Sequence, residues 1–292
     1  MEQITPIGFL DVPVLLEASQ PQPRIPWAWY ATGACVALLV VAYFAPAGNG
    51  GAAIGALASI LSLGIFLSLP LIMRIYLKKV RMEQSIIAGA GELLHLRRWG
   101  DAAMALQHIL SRPALTSQLR TEALMYLASV LIRYHRFDDA VVVQDYILRE
   151  DLVSPLTAYG LKLARAMAML RQDHLFDADG AISDLRRNGP PDSAGFALVD
   201  MYRDVKTGHP AEALAIFDGK LAALREQLGH RLGDAYALAA RAYDLLDRKN
   251  EAADAFTRAT LLSPLIELCR RYPEVEKLVG RYEPAAAPPE MA

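Results

Sequence analysis

The chain has 292 residues, a formal net charge of −2, 53% hydrophobic residues and 21% charged residues. The charges avoid one block completely: residues 27–73 are 47 consecutive positions without Asp, Glu, Lys or Arg. That partition points to a membrane protein with a large soluble part. Apolar residues recurring through the remainder exclude disorder for most of its length. Two cysteines, Cys35 and Cys269, are too few for a disulfide framework or a four-ligand metal site. No basic cluster is interleaved with aromatics, which speaks against a nucleic-acid partner.

Residues 1–26 are apolar but broken by Pro6, Pro13, Pro21, Pro23 and Pro26, which prevent one continuous helix. Ile7, Phe9, Leu10, Val12, Val14, Leu15 and Leu16 could lie on the headgroup layer or on the soluble domain, and the pattern does not choose between them. The run 27–45 follows. Its 19 residues span about 28 Å as a helix, enough to cross a hydrocarbon core of about 30 Å. Trp27, Trp29 and Tyr30 mark one end, and Tyr43 and Phe44 the other, as interfacial belts do. A signal peptide is disfavoured, because Glu2, Asp11 and Glu17 precede the run against Arg24 alone.

Pro46 to Gly51 reads as a turn, and residues 52–73 supply a second uncharged run of 22 residues. Together 27–45 and 52–73 are expected to form a two-helix transmembrane hairpin. Arg74, Lys78, Lys79 and Arg81 make 74–82 a basic juxtamembrane segment. By the positive-inside rule both termini and everything after the hairpin are cytoplasmic. The lack of an Asn-x-Ser/Thr acceptor agrees. Gly51, Gly55 and Ser59, at four-residue spacing, are candidates for close helix packing. No ionisable residue lies inside either run, so the hairpin reads as an anchor rather than a pore or pump.

Residues 83–264 repeat. Tyr236, Ala239, Ala240 and Tyr243 form one helical face; Ala252, Phe256 and Ala259 form a second, closed by Pro264. The template recurs in Leu124, Leu127, Ala128 and Leu131 with Ala140 and Ile147. It recurs again in Ile86, Gly89, Ala90 and Leu93 with Ala102, Leu106 and Ile109. Two weaker copies are Ala166 and Met169 with Ala178, Ile182 and Leu185, and Met201 with Ala213 and Phe217. The second-helix alanines at 102, 140, 178, 213 and 252 are spaced by 38, 38, 35 and 39 residues. This pattern, with its closing proline, resembles the tetratricopeptide repeat, whose usual period of about 34 residues is shorter. The fold expected is all-α: a two-helix transmembrane hairpin followed by a tetratricopeptide-like α-solenoid of about five helical hairpins. Leu265 to Tyr282 reads as a capping helix, and 283–292 as a disordered tail.

Chemistry is sparse. His95, His108, His135, His174, His209 and His230 sit in separate repeats, several at turns. Asp177-x-Asp179-Gly180 matches only part of a calcium loop: Leu175 and Arg186 stand where ligands belong. Gly89-Ala-Gly91 lacks the rest of any phosphate-binding loop. Cys269, between apolar neighbours and beside Arg270 and Arg271, reads as a packing cysteine. Neither an enzyme, a cofactor nor a metal is expected.

The resemblance implies a concave groove lined by the first helix of each hairpin, which binds a segment of a partner protein. By helical phase that face would include Met125, Ser129 and Arg133, then Ala237, Arg241 and Asp244. The expected function is a membrane-anchored scaffold or adaptor contacting proteins and the lipid bilayer, with homo-oligomerisation open. The alternative is a regulatory or assembly subunit of a membrane enzyme or transport complex.

Overall fold

The computed structural model describes residues 7–21, 30, 33, 34, 36, 37, 40, 49–190 and 193–282. Among them are thirteen α-helices, two short 3-10 turns and no strand. They divide into two units, Met1–Tyr134 and His135–Ala292. The first holds α1 (Val12–Ala18), α2 (Asn49–His95), α3 (Trp99–Leu110) and α4 (Ser117–Arg133). The second holds α5 (Phe137–Arg149), α6 (Pro155–Arg171), α7 (Leu175–Asn188), α8 (Ala194–Thr207) and α9 (Pro210–Leu228). It continues with α10 (Leu232–Leu245), α11 (Lys249–Leu262), α12 (Leu265–Arg271) and α13 (Glu276–Tyr282).

Helix α2 joins what the charge pattern separates. The run 52–73, the basic segment 74–82 and the first helix of the repeat are one helix of 47 residues, about 70 Å long at ~1.5 Å per residue. No Gly or Pro interrupts residues 71–88, so the switch from apolar to charged side chains gives the backbone no reason to break. The last three residues of the expected Pro46–Gly51 turn, Asn49 to Gly51, are already helical. Among the described residues no helix is long and apolar enough to cross a membrane. Most of the run 27–45, and most side chains of 52–73, lie outside those residues.

The N-terminal segment chooses the helical domain. Ile7, Leu10, Val12, Leu15 and Leu16 are buried, while Phe9 and Val14 stay exposed. Asp11 caps α1 by accepting from the Val14 N–H, and α1 packs on α3. Arg120 of α4, itself buried, donates from Nη2 to the Leu16 carbonyl at 2.7 Å and from Nε to Ser19 Oγ at 3.0 Å. The Ala114 N–H adds a bond to the Ser19 carbonyl at 3.3 Å. A guanidinium that loses water here regains hydrogen bonds, which offsets its burial.

One turn is used five times. A left-handed residue stands at Arg97, His135, Asp173, Gly208 and Asp247, with φ of 59°, 60°, 61°, 80° and 57°. Each lies five positions before one of the repeat alanines. The next residue caps a helix whose fourth residue is that alanine, at 102, 140, 178, 213 or 252. The N–H groups of Arg98, His174, His209 and Arg248 reach back to the carbonyls of Leu93, Met169, Asp204 and Tyr243 at 2.8–3.0 Å. This six-to-one bond is the Schellman closure of a helix C-terminus. All five alanines have no exposed surface, which is why a methyl suffices there: a larger side chain would hold the crossing helices apart.

Immediately before each alanine stands an acid: Asp101, Asp139, Asp177, Glu212 or Glu251. These occupy the first helical turn, where negative charge offsets the helix dipole. Three also pair with the capping arginine, as Arg98–Asp101, Arg136–Asp139 and Arg248–Glu251.

Within the second unit, consecutive helices pack in chain order from α5 to α11, α8 also touches α6 and α10, and α12 and α13 pack on α10 and α11 respectively. The centre is α10, where Ala235, Ala237, Ala239, Ala240 and Ala242 have no exposed surface. A Cβ on Gly233 would come within 2.8 Å of Ser263 Oγ, so α10 and the end of α11 approach closely. Large rings fill the space beside these small residues: Tyr202 meets Tyr272 edge-on at 5.0 Å, and Phe217 meets Tyr236 at 5.4 Å. In the first unit the buried face of α2 is Ile87, Ala90 and Gly91. That is a rotation of one residue from the expected Ile86, Gly89, Ala90 and Leu93. Gly91 is required there, since a Cβ would sit 2.9 Å from the Tyr126 hydroxyl.

The expected single capping helix is two. Helix α12 ends before Pro273, a 3-10 turn spans Pro273–Val275, and α13 follows. Proline disfavours a helical residue before it, so the break falls at Tyr272. The expected tail, 283–292, lies outside the described residues.

Candidate interaction surfaces

The expected groove residues fall in two different environments. In the first unit Met125, Ser129 and Arg133 lie along α4, with Ser129 exposed and the other two half-buried. Ser129 Oγ donates back to the Met125 carbonyl at 3.1 Å, and the Arg133 guanidinium lies over the Trp99 ring at 5.5 Å. Beside them Tyr126 donates to Glu122 at 3.2 Å; burial, then the Glu122 charge, raises its pKa.

In the second unit Ala237, Arg241 and Asp244 lie on α10 beneath the C-terminal helices. Ala237 has no exposed surface. Asp244 accepts from Arg241 Nη1 at 2.6 Å, Arg281 Nη1 at 2.8 Å and the Tyr282 hydroxyl at 3.0 Å. Burial pushes its carboxyl up, but the bonds from Arg281 and Tyr282 and the charges of Arg281 and Arg241 outweigh it, leaving the pKa below the usual value. Through those bonds Asp244 seats α13. Helical phase names a face; it does not say that chain from outside the repeat covers it.

Around it is a network of buried acids. Asp234 has no exposed surface and meets Arg271 Nη1 at 2.7 Å, Arg231 Nε at 3.3 Å and the Tyr272 hydroxyl at 3.2 Å. Burial, followed by the Asp234 charge, pushes Tyr272 up to about 12. Asp200 receives Arg186 Nη2 at 2.9 and 3.0 Å, and Asp204 receives Arg203 Nε at 2.9 Å. Burial raises the Asp204 carboxyl more than Arg203 lowers it. Lys206 donates to the Leu170 carbonyl and to Asp173, both at 2.6 Å. Acids held this way fix short helices against one another, because removing either partner would strand a buried charge.

Two clefts stand out among the described residues of this unit. One, about 310 Å³, lies among α9, α10 and α11 around Tyr236, Tyr243 and Arg258. Burial raises the Tyr236 pKa, but the bonds from Arg225 and Arg258 outweigh it and the net shift is downward. The other, about 240 Å³, includes Asp179, Arg203, Asp204 and His209. Its His209 ring Nδ1 is 2.9 Å from Thr207 Oγ1. Asp177 caps no helix with its side chain; His174 holds the cap of α7 and Asp177 stands within its first turn. Among the described residues no three His, Cys, Asp or Glu side chains gather as metal ligands would.

A third cleft, of about 370 Å³, belongs to the first unit and the sequence gives no hint of it. It lies between α2 and α3, with Lys79, Met82 and Ile86 on one wall and His108, Ile109 and Arg112 on the other. These residues are 22 or more positions apart across the two walls, so only the fold brings them together. Gly51, Gly55 and Ser59 lie on α2, and their surroundings fall outside the described side chains. No protein-family model, no curated protein and no solved structure matches the chain.

Proposed function

We propose that the protein is a membrane-anchored interaction scaffold: a transmembrane hairpin, 27–45 and 52–73, carrying a tetratricopeptide-like α-solenoid on the cytoplasmic side. The observation that carries this reading is the continuity of α2 from Asn49 to His95. An anchor and a repeat helix formed as one rod leave no flexible joint between them. Where side chains of the uncharged run are described, large aliphatic ones face outward: Ile60 is 71% exposed and Leu63 60%. Such a surface suits hydrocarbon better than water. The lone Pro70 within α2 is also tolerated in membrane helices more readily than in soluble ones.

The docked N-terminus supports an even number of crossings. Residues 7–20 and α4 touch through Arg120, so both lie on one side of any membrane, and the chain between them must leave and return. Two runs of 19 and 22 residues meet that requirement with one hairpin. The five repeated turns and buried alanines support the solenoid reading. The open face at Met125, Ser129 and Arg133 is the groove segment available to a protein partner. Anchoring raises the effective concentration of partners in the same membrane, so weak contacts suffice.

The test is photo-crosslinking in native membranes from position 129, with position 176 as control, since Phe176 is 91% exposed on α7. The reading expects a discrete set of membrane-associated adducts from 129 that Arg133→Glu diminishes. Equal adducts from both positions, unchanged by Arg133→Glu, would contradict it.

A further inference from the structure

We infer that the cleft between α2 and α3 binds an anionic phospholipid of the adjoining leaflet, its phosphate held by Lys79 and Arg112. This rests on the membrane reading above. The cleft volume, about 370 Å³, lies within the ~300–1,000 Å³ range of small-molecule sites. Its walls divide by chemistry. Met82, Ile86 and Ile109 give an apolar floor, while Lys79 and Arg112 stand exposed at its rim.

The cationic rim is preorganised. Arg112 donates from Nη2 to the His108 ring Nε2, and from Nε to the His108 carbonyl at 3.4 Å. The guanidinium is thus steered while further N–H groups remain for an oxyanion. Glu83 is the one carboxylate in the lining, and it accepts the Leu115 N–H at 3.2 and 3.4 Å. Among the described residues no carboxylate forms an ion pair with Lys79 or Arg112.

Position along the helix selects a lipid. Ile75, Met82 and Ile86 follow helical spacing, and Ile75 and Met82 are 53% and 67% exposed. This stripe leads from the uncharged run into the cleft floor. A headgroup layer of about 5–8 Å covers roughly four or five helical residues. With Leu77 the last aliphatic before Lys78 and Lys79, that layer takes in Lys79 to Met82. A phospholipid there meets the cations with its phosphate, Met82 with its glycerol backbone, and Ile75, one turn from Lys79 toward the uncharged run, with the start of its acyl chains. A net negative headgroup is favoured over a zwitterionic one, whose amine would face the same cations.

The experiment uses the full-length protein in phosphatidylcholine nanodiscs doped with spin-labelled phosphatidylglycerol or, separately, spin-labelled phosphatidylcholine. The motionally restricted fraction of each label gives the lipid preference. The inference expects enrichment of the anionic label, reduced about fivefold for each cation removed by Lys79→Gln and Arg112→Gln. Lys78→Gln, at the same surface but outside the lining, should retain it within about twofold. An unchanged preference in the double variant, or an equal loss with Lys78→Gln, would mean diffuse surface attraction and overturn the site. Release of the restricted label by excess inorganic phosphate would instead mark a free-anion site and also overturn it. Failure to enter nanodiscs would contradict the membrane reading itself. Entry without any anionic preference would contradict the cleft alone.

Discussion

The two units share one turn yet place their charges oppositely. In the second, Asp200, Asp204 and Asp234 are drawn inside against arginines, and large exposed apolar residues such as Leu156, Phe176 and Leu261 are scattered over three helices. Among the described residues of the first, the buried charge is Arg120, satisfied by a carbonyl and a hydroxyl. That unit's exposed aliphatics include Ile60, Leu63, Ile75 and Met82 on α2, beside Val14 on α1 and Met104 on α3. The second unit therefore satisfies its buried acids from within, while α2 of the first carries exposed aliphatic side chains on successive turns where they are described. Repeat geometry fixes neither behaviour; what each helix must face does.

The contrast can be broken most forcefully in the second unit. Asp234→Ala leaves Arg231 and Arg271 without their buried acid and should cost about 3–5 kcal/mol. Urea unfolding monitored in that unit reads the loss, and a change below about 1 kcal/mol would show the network to be no more than a surface pair. In the first unit, Leu63→Arg should cost about 3 kcal/mol of insertion. The carbonate-resistant fraction should fall while melting of the second unit stays unchanged.

Arg120→Ala removes the bonds to Leu16 and Ser19 and should cost about 2 kcal/mol. Its signature is faster amide exchange in α1 with α5–α11 unaffected. Alkaline pH separates the units in another way. Tyr272 has a folded pKa raised to about 12, above the ordinary value near 10. Its contribution is full below about pH 10 and is lost as pH rises through about 12, by up to ~1.4 kcal/mol per pH unit. Tyr272→Phe should flatten that alkaline slope. The smallest effect concerns the common turn: Asp247→Gly should stabilise by about 0.5–1 kcal/mol, and Gly208→Ala should destabilise by about as much. A calorimetric shift of the opposite sign at either position would refute the shared left-handed turn.

Much of the repeat was legible. Alanines at 102, 140, 178, 213 and 252 mark all five second helices because a buried crossing tolerates little else. The acids directly before them and the Arg or His four positions before were equally present, yet single charges at turns read as solvation rather than as part of a motif. The change from apolar to basic at Arg74 suggested a boundary, whereas backbone propensity ran on through it. Phase was ambiguous by one residue on α2, since Gly89, Ala90 and Gly91 are all small and only Tyr126 decides which faces inward. Helical phase placed Ala237, Arg241 and Asp244 on one face but carried no signal that Arg281 and Tyr282, more than 35 positions away, bond to Asp244. The cleft at Lys79 and Arg112 is a juxtaposition of two helices and has no linear signal.

The central claim is that a hairpin returns the chain to the side from which it started. It is tested most directly by labelling single cysteines with a membrane-impermeant maleimide in sealed, cytoplasm-outward vesicles, after Cys35→Ser and Cys269→Ser. Glu17→Cys and Phe176→Cys should react from outside without detergent, and Asn49→Cys only once the vesicles are opened. Reaction of Glu17→Cys and Phe176→Cys from opposite sides, or of all three positions from outside, would contradict the account.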